Sequence, residues 1–335
     1  MTTGLALLED RASDPDCPVC DVASSRVGDA PNWGEWRRCT RCALDFVNPL
    51  RRPQDPVTLF SGAYDGKVRE AAMGDFRMRI DQRRVILDQL RDPTLWFWTP
   101  AFTDVLAWAE ARLKPGATIL ELGCGLGFFL HALRSKGFVA VGLDVAEAAC
   151  DLNRRDGFQV WHGTLESMPD GWVQPDAVVA FFMFHHLEDP LSFLTTIRRR
   201  WPAAPLAIAQ YGPSNRLDAA STSPPRTLLR WNARALAHAL ERAGYAPEVR
   251  NVASTGSEAS WLRPIRKRLA GTMAPWVYKL GRQAEMRILP CLGRRVTRDA
   301  YVVLAFAEPT DTVRTPEHAG ARTADQRPAG PDPRA

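Results

Sequence analysis

Short apolar runs recur along the chain, and stretches with helical spacing separate most of them. Continuous apolar runs are typical of strands that are buried on both faces of a sheet. Their alternation with helices predicts an α/β fold. The strand-like runs are 117–120, 139–144, 158–161, 176–184, 206–210, 248–252 and 301–307. The helical stretches are 128–133, 146–155, 191–200 and 233–243.

The segment that precedes the first of these strands has a different pattern. Apolar residues repeat at helical spacing within 85–90 and again within 102–113, after a charged stretch at 77–84. We therefore expect a helical linker or cap over residues 53–115, followed by a core domain over residues 116–308.

A glycine-rich turn, Glu121 to Phe129, joins the first strand to a helix. Glycines let the backbone approach a ligand closely, and a helix N-terminus favours an anionic group. A dinucleotide-binding turn has glycines at its first, third and sixth positions. Here Gly123 and Gly125 fill the first two, but the bulky Phe128 stands sixth, which argues against NAD or FAD.

The second strand ends in a carboxylate, Asp144, which lies 21 residues after Gly123. An acid at this position can accept hydrogen bonds from both hydroxyls of a ribose. The ligand that we expect therefore has a ribose and a small anionic end, without a pyrophosphate. The alternative is a packing glycine turn in some other α/β protein.

These two motifs resemble those of the class I S-adenosylmethionine (SAM)-dependent methyltransferases. The resemblance implies SAM as the cofactor and a Rossmann-like, seven-stranded, mostly parallel sheet, in which 248–252 and 301–307 pair antiparallel at one edge. It also implies that a helical segment caps the cofactor cleft. The residues that it places at the cofactor are Glu121, Gly123, Cys124, Gly125, Gly127, Asp144, Val145, Thr164, Leu165 and Phe181.

The loop after the third strand departs from the family pattern. Members of the family usually carry an aspartate there that contacts the adenine amino group, whereas this chain has Thr164. A threonine hydroxyl can accept the same hydrogen bond without a charge. Glu166, or backbone groups around Leu165, are the alternatives.

The fourth strand runs into His185-His186-Leu187-Glu188-Asp189-Pro190, which resembles the family's fourth motif. Methyl transfer usually needs a base for the acceptor's proton, and histidine titrates near neutral pH. His185 and His186 are therefore the candidate catalytic bases, and His186 occupies the more regular family position. The alternative is that a histidine here only braces the loop.

Four cysteines near the N-terminus have the spacing C-x2-C-x18-C-x2-C, which is typical of a zinc ribbon. All four coordination positions would be filled, so we expect structural Zn²⁺ in a module over residues 1–52. Two disulfides or an iron–sulfur centre are the alternatives. Aromatic and basic residues between the cysteines also allow nucleic-acid binding. The four ligands are Cys17, Cys20, Cys39 and Cys42.

The chain has 335 residues, 45% of them apolar, and a formal charge of +5, which says little about partners. Positive charge concentrates in a predicted helical insertion over 255–298, which is also rich in apolar residues. This pattern suits a substrate lid, contact with a phosphorylated substrate or peripheral contact with an anionic membrane. The alternative is a solvated helical insertion. Residues 309–335 have a composition typical of disorder.

The first ten residues lack the basic region of a secretory signal, and the chain has no run of about 18 apolar residues that could span a membrane. The expectation is a cytoplasmic protein. The cysteines and the core motifs together resemble those of bacterial methyltransferases with an N-terminal zinc ribbon. This resemblance implies a small-molecule acceptor, such as a sugar-nucleotide, a polysaccharide or a natural-product or lipid-linked intermediate. An RNA methyltransferase and a non-catalytic SAM-fold scaffold are the alternatives. The pattern does not favour nucleic acid, because the motif Asn/Asp-Pro-Pro-Tyr/Phe is missing. It leaves the oligomeric state undetermined.

Overall fold

The computed structural model describes residues 15–30, 32–50, 83, 87, 100–212, 224, 227–253 and 301–310. Most of the expected cap, the whole basic insertion at 255–298 and the predicted tail beyond residue 310 lie outside the described residues. Among the described residues, no helix combines the length and apolar character needed to cross a membrane.

The larger of two sheets has seven strands in the order β10-β11-β8-β7-β4-β5-β6. The five strands β4 to β8 are parallel, and β10 and β11 pair antiparallel at one edge. The predicted Rossmann-like architecture is therefore confirmed. The strands are β4 Thr118–Leu122, β5 Val139–Asp144, β6 Gln159–His162, β7 Ala177–Phe181, β8 Leu206–Tyr211, β10 Tyr245–Ala253 and β11 Tyr301–Pro309.

Helices cover both faces of this sheet, so that alternate residues of each strand enter different cores. Ile119 packs in one buried cluster, whereas Leu120 and Leu122 pack in the other. Asp189 caps the helix that follows β7 by accepting a hydrogen bond from the Ser192 backbone N–H at 2.9 Å. The helices are α1 Pro100–Arg112, α2 Phe128–Ser135, α3 Glu147–Arg155, α4 Pro190–Arg200 and α5 Ala233–Arg242.

The N-terminal module forms a second sheet of four strands in the order β1-β2-β3-β9. Its fourth strand comes from the distant core sequence, which the local pattern did not predict. The backbone N–H of Val47 donates to the Leu228 carbonyl at 3.0 Å, and Asn232 Nδ2 donates to the Ala43 carbonyl at 2.6 Å. The module is thus packed against the core. Its strands are β1 Ser24–Ala30, β2 Gly34–Cys39, β3 Asp45–Asn48 and β9 Leu229–Arg230.

Several strand ends differ from the sequence prediction, among them the ends of β7 and β11. Strand β7 ends at Phe181 rather than at residue 184, because Phe182 adopts a left-handed backbone conformation with φ 53°. Residues Phe184–His186 then form a turn of 3-10 helix. Strand β11 continues to Pro309, which pairs with Tyr245, so regular structure extends into the region predicted to begin the disordered tail.

Candidate functional site

The glycine-rich turn lies where β4 ends, beside the end of β5. The backbone N–H groups of Gly123 and Cys124 both donate to the Leu143 carbonyl, at 2.8 and 3.0 Å. Gly127 has φ 76°, a conformation that favours glycine. An added Cβ at Gly127 would lie 1.8 Å from Asn153 Oδ1, so the turn has no room for a side chain there.

Asp144 ends β5 directly beside this turn. Its Oδ2 accepts a hydrogen bond from the Gly125 N–H at 2.7 Å, and its Oδ1 accepts one from the Ala146 N–H at 2.9 Å. Burial raises the pKa of the Asp144 carboxyl, and these backbone donors oppose that shift. Each oxygen keeps acceptor capacity for a ligand hydroxyl.

Glu121 is the second buried carboxylate of the site. Burial, and then the charge of Asp144, raise its pKa well above the usual value. Its Oε2 has no hydrogen-bond partner within the described part of the chain. A buried acceptor without a partner is costly, and a cationic ligand nearby would favour the ionised form. This unpartnered oxygen fits a cofactor that carries positive charge.

The loop after β6 lies beside Asp144, at the end of β5. The Gly163 N–H donates to the Asp144 carbonyl at 2.9 Å, which brings Thr164 and Leu165 to the end of β5. Thr164 Oγ1 accepts a hydrogen bond from the Ser167 N–H at 3.3 Å, so this hydroxyl also stabilises its own turn. Leu165 is buried, and Val145, next to Asp144, is half-buried.

The loop after β7 lies on the opposite side of the glycine turn. An added Cβ at Gly123 would lie 3.2 Å from the Cβ of Met183, which places this loop against the turn. The imidazole rings of His185 and His186 are adjacent, with centroids 3.8 Å apart. Tyr211, at the end of β8, stacks on Phe182 with centroids 4.2 Å apart and is 38% exposed. Imidazoles and aromatic rings thus surround this end of the cleft.

Two of the residues predicted at the cofactor keep their side chains in the core. The Phe181 ring stacks on Phe102, with centroids 4.4 Å apart, beneath the strand ends. The Cys124 thiol is buried, and burial raises its pKa. Any contact that these two residues make in the cleft goes through their backbone atoms.

The four predicted cysteine ligands converge in the N-terminal module. All four sulfur atoms lie within 4.8 Å of one another, and Cys17 Sγ and Cys42 Sγ are 3.9 Å apart. Zinc–sulfur bonds of about 2.3 Å in a tetrahedron separate the sulfurs by about 3.8 Å. Backbone N–H groups of Val19 and Arg41 donate to cysteine sulfurs at 3.4 and 3.3 Å, which favours the thiolate form.

Without a cation, the thiols of Cys17 and Cys20 would stay protonated. Burial raises the pKa of Cys20 to about 12. A hydrogen bond with Cys42, together with burial, raises the pKa of Cys17. A bound metal ion reverses this balance, because it stabilises the thiolates that coordinate it. The donor set and its spacing therefore suit one four-coordinate ion.

The chain is similar to known proteins over part of its length. Residues 98–248 match a family model described as a methyltransferase domain. A 90-residue segment is 32% identical to ubiquinone biosynthesis O-methyltransferase of Ruegeria sp.. The segment covers 25% of this chain and 36% of that protein. A 114-residue segment is 31% identical to ribosomal protein L11 methyltransferase of Burkholderia vietnamiensis, and it covers 32% of this chain and 36% of that protein. The matched segment thus spans about a third of each relative.

Over residues 98–248, the chain is thus similar to methyltransferase domains. Among solved structures, phosphoethanolamine N-methyltransferase 2 of Haemonchus contortus with bound SAM is similar, with a TM-score of 0.43 and 17% identity. That similarity covers 62% of this chain and 52% of the other.

Two residues that hold the glycine turn were missed from the sequence. Asn153 Nδ2 donates to the Gly125 carbonyl at 2.8 Å, and Arg83 Nε donates to the Leu126 carbonyl at 2.8 Å. Arg83 also donates to Asn153 Oδ1 at 3.2 Å and forms a 2.6 Å ion pair with Asp156. The only signal for Asn153 was an amide on the buried face of a helix, and Arg83 gave none.

Proposed function

We propose that this protein is an enzyme that transfers the methyl group of SAM to a small-molecule acceptor. The observation that carries the proposal is the pair of buried carboxylates, Glu121 and Asp144, at the glycine turn. Asp144 keeps acceptor capacity for the ribose hydroxyls, and the unpartnered Oε2 of Glu121 favours a cationic ligand. SAM combines a ribose with positive charge on its sulfonium and ammonium groups.

The proposed cofactor site uses backbone atoms at several positions. Glu121, Gly123, Cys124, Gly125 and Gly127 would line the methionine end. The ribose would bind at Asp144 and Val145, and the adenine at Thr164 and Leu165, with the backbone of Phe181 closing the cleft. SAM supplies an activated methyl group, so the protein has to align the acceptor and remove its proton. His185 and His186 are the candidates for that proton transfer.

We further propose that Cys17, Cys20, Cys39 and Cys42 bind one structural Zn²⁺. The supporting observation is the sulfur spacing, which is close to that of a tetrahedral site. Four thiolates leave no open coordination position, so the metal would take no part in methyl transfer. It would instead stabilise a module that is too small to fold through core burial alone.

The matched segment does not identify the acceptor. One relative is named for ubiquinone biosynthesis and the other for ribosomal protein L11. We propose a small-molecule acceptor, such as a sugar-nucleotide, a polysaccharide or a natural-product or lipid-linked intermediate, because His185, Phe182 and Tyr211 form an aromatic end to the cleft. The competing hypotheses are that this protein methylates RNA, or that it is a non-catalytic scaffold with the same fold.

The first test is a calorimetric titration of the metal-loaded protein with S-adenosylhomocysteine, alongside Asp144→Ala. We expect micromolar binding that Asp144→Ala weakens at least tenfold, which is about 1.4 kcal/mol. The physical reason is the loss of the carboxylate that would bind the ribose. Asp151→Ala is the matched control, because the Asp151 side chain is 47% exposed and pairs with Arg154 on the surface of α3.

Three results would distinguish the alternatives. Absence of binding by well-folded wild-type protein would contradict SAM use and favour a non-catalytic scaffold. Equal affinity of the wild type and Asp144→Ala would show that Asp144 does not hold the ribose. A salt-dependent shift with generic RNA would favour an RNA substrate over a small molecule.

A further inference from the structure

Gln210 is a fully buried amide at the end of β8, next to the cleft. Its Oε1 lies 3.3 Å from the backbone nitrogen of His185 and 3.0 Å from Nδ1 of the same residue. Its Nε2 lies 2.8 Å from the carbonyl oxygen of Ala209. The amide therefore connects a strand of the core sheet to one candidate base.

The backbone groups determine which way this amide is turned. The His185 N–H can only donate, so the atom that faces it must be the amide oxygen. The Ala209 carbonyl can only accept, so the atom that faces it must be the amide nitrogen. The reverse orientation would place donor against donor and acceptor against acceptor in a buried position, where unmade hydrogen bonds are costly.

The orientation of the amide in turn assigns the tautomer of His185. An oxygen that faces Nδ1 can only accept, so Nδ1 carries the proton. In the neutral imidazole the lone pair that can take a proton is then on Nε2. The backbone of His185 is also held, because its carbonyl accepts a hydrogen bond from the Leu228 N–H at 2.9 Å.

We propose that Gln210 is a positioning residue that holds His185 in the Nδ1–H tautomer, so that Nε2 of His185 is the proton-accepting atom of the site. The use of this atom in methyl transfer rests on the proposed function. The assignment gives His185 the role that the family resemblance assigned first to His186. The amide oxygen would also stabilise the imidazolium, because Nδ1–H remains its donor after Nε2 gains a proton.

The test uses the full-length, metal-loaded protein labelled with [15N]histidine. Two-bond 1H–15N spectra distinguish a protonated ring nitrogen from one that bears a lone pair. The chain has six histidines, and the signals missing from His185→Gln identify those of His185. Above the titration midpoint we expect the proton of His185 on Nδ1. In Gln210→Leu we expect a mixture with the Nε2–H tautomer, because the acceptor for Nδ1–H is gone.

Gln210→Glu provides a second measurement if the buried leucine prevents folding. In this variant one side-chain oxygen still faces Nδ1 and accepts its hydrogen bond, while the protonated second oxygen can donate to the Ala209 carbonyl, so we expect His185 to keep the Nδ1–H tautomer. Gln159→Leu is the control, since Gln159 is exposed on the edge strand β6 and should leave the His185 spectrum unchanged.

A wild-type spectrum with the proton on Nε2 would overturn the proposal. So would a folded Gln210→Leu variant with the wild-type tautomer, or a folded Gln210→Glu variant with the proton of His185 on Nε2. Titration of the same variants with S-adenosylhomocysteine keeps this outcome separate from the proposed function. Failure to bind would contradict the use of SAM without changing the tautomer result. A different tautomer would overturn the role of Gln210 without changing the binding result.

Discussion

Removal of the proposed Zn²⁺ from the four-cysteine cluster is expected to unfold the N-terminal sheet and to lower the melting temperature strongly. Structural Zn²⁺ contributes roughly 10–16 kcal/mol in zinc-finger peptides. The double variant Cys39→Ser/Cys42→Ser should behave like chelated protein. Metal analysis, thermal melting and hydrogen exchange of β2 and β3 measure the effect.

The loss of structure in the N-terminal sheet should also affect the cleft, through contacts that the structure shows. Strand β3 pairs with β9, and the residue before β9, Leu228, donates to the His185 carbonyl at 2.9 Å. Exchange should therefore also increase at the His185 loop. The cofactor carboxylates lie on β4 and β5, which make no pairing with this sheet, so S-adenosylhomocysteine binding should fall much less than the protection of His185.

Cys150→Ser is the control for the general cost of replacing a buried thiol. Cys150 is fully buried but lies outside the cluster, on α3. It should change stability modestly and leave the metal content at one ion per chain. A full complement of metal in the double variant, or a chelated protein with the wild-type melting curve, would contradict the structural role of the metal.

Gly127→Ala is expected to abolish most binding of S-adenosylhomocysteine. The new Cβ would meet Asn153 Oδ1 at 1.8 Å, in a backbone conformation with φ 76°. Asn153 cannot easily move, because it donates to the Gly125 carbonyl and accepts from Arg83. The turn itself must shift. We expect at least a hundredfold weaker binding, about 2.7 kcal/mol, measured by calorimetry.

Gly171→Ala separates backbone strain from the clash. Gly171 has φ 77°, nearly the same as Gly127, and an added Cβ there has nothing within 4 Å. Strain alone costs about 1–2 kcal/mol of folding stability for a left-handed L-residue. Gly171→Ala should therefore lower the melting temperature slightly and bind ligand normally. Wild-type affinity in Gly127→Ala would show that the turn does not need its present shape.

The parts of this protein that the sequence predicted correctly depend on short-range patterns. Buried strands, amphipathic helices and the glycine turn each lie within about ten consecutive residues, so local spacing is enough to find them. The predicted ends of the strands were less accurate. Strand β7 stops at Phe181 because the left-handed conformation of Phe182 breaks it, and no neighbouring glycine or proline marks that break.

The residues of the candidate site also fall into two groups, those that the sequence identified and those that it did not. The carboxylates Glu121 and Asp144 and the cysteine spacing could be found from the sequence, because each belongs to a motif of regular form. The supports of the site could not. Gln210 interrupts an apolar strand, which is a detectable signal, but its partner His185 lies 25 residues earlier in the chain. Arg83 lies 43 residues before the carbonyl that it binds.

By itself the sequence determined the class of fold, the position of the glycine turn and the four convergent cysteines, because propensity and spacing act over neighbouring residues. Only the tertiary structure decided that the N-terminal sheet takes its fourth strand from residues 229–230, and that a buried amide orients His185. Hydrogen bonds between distant segments depend on how packed layers meet. Burial then makes each unsatisfied donor or acceptor costly, and this cost selects one arrangement.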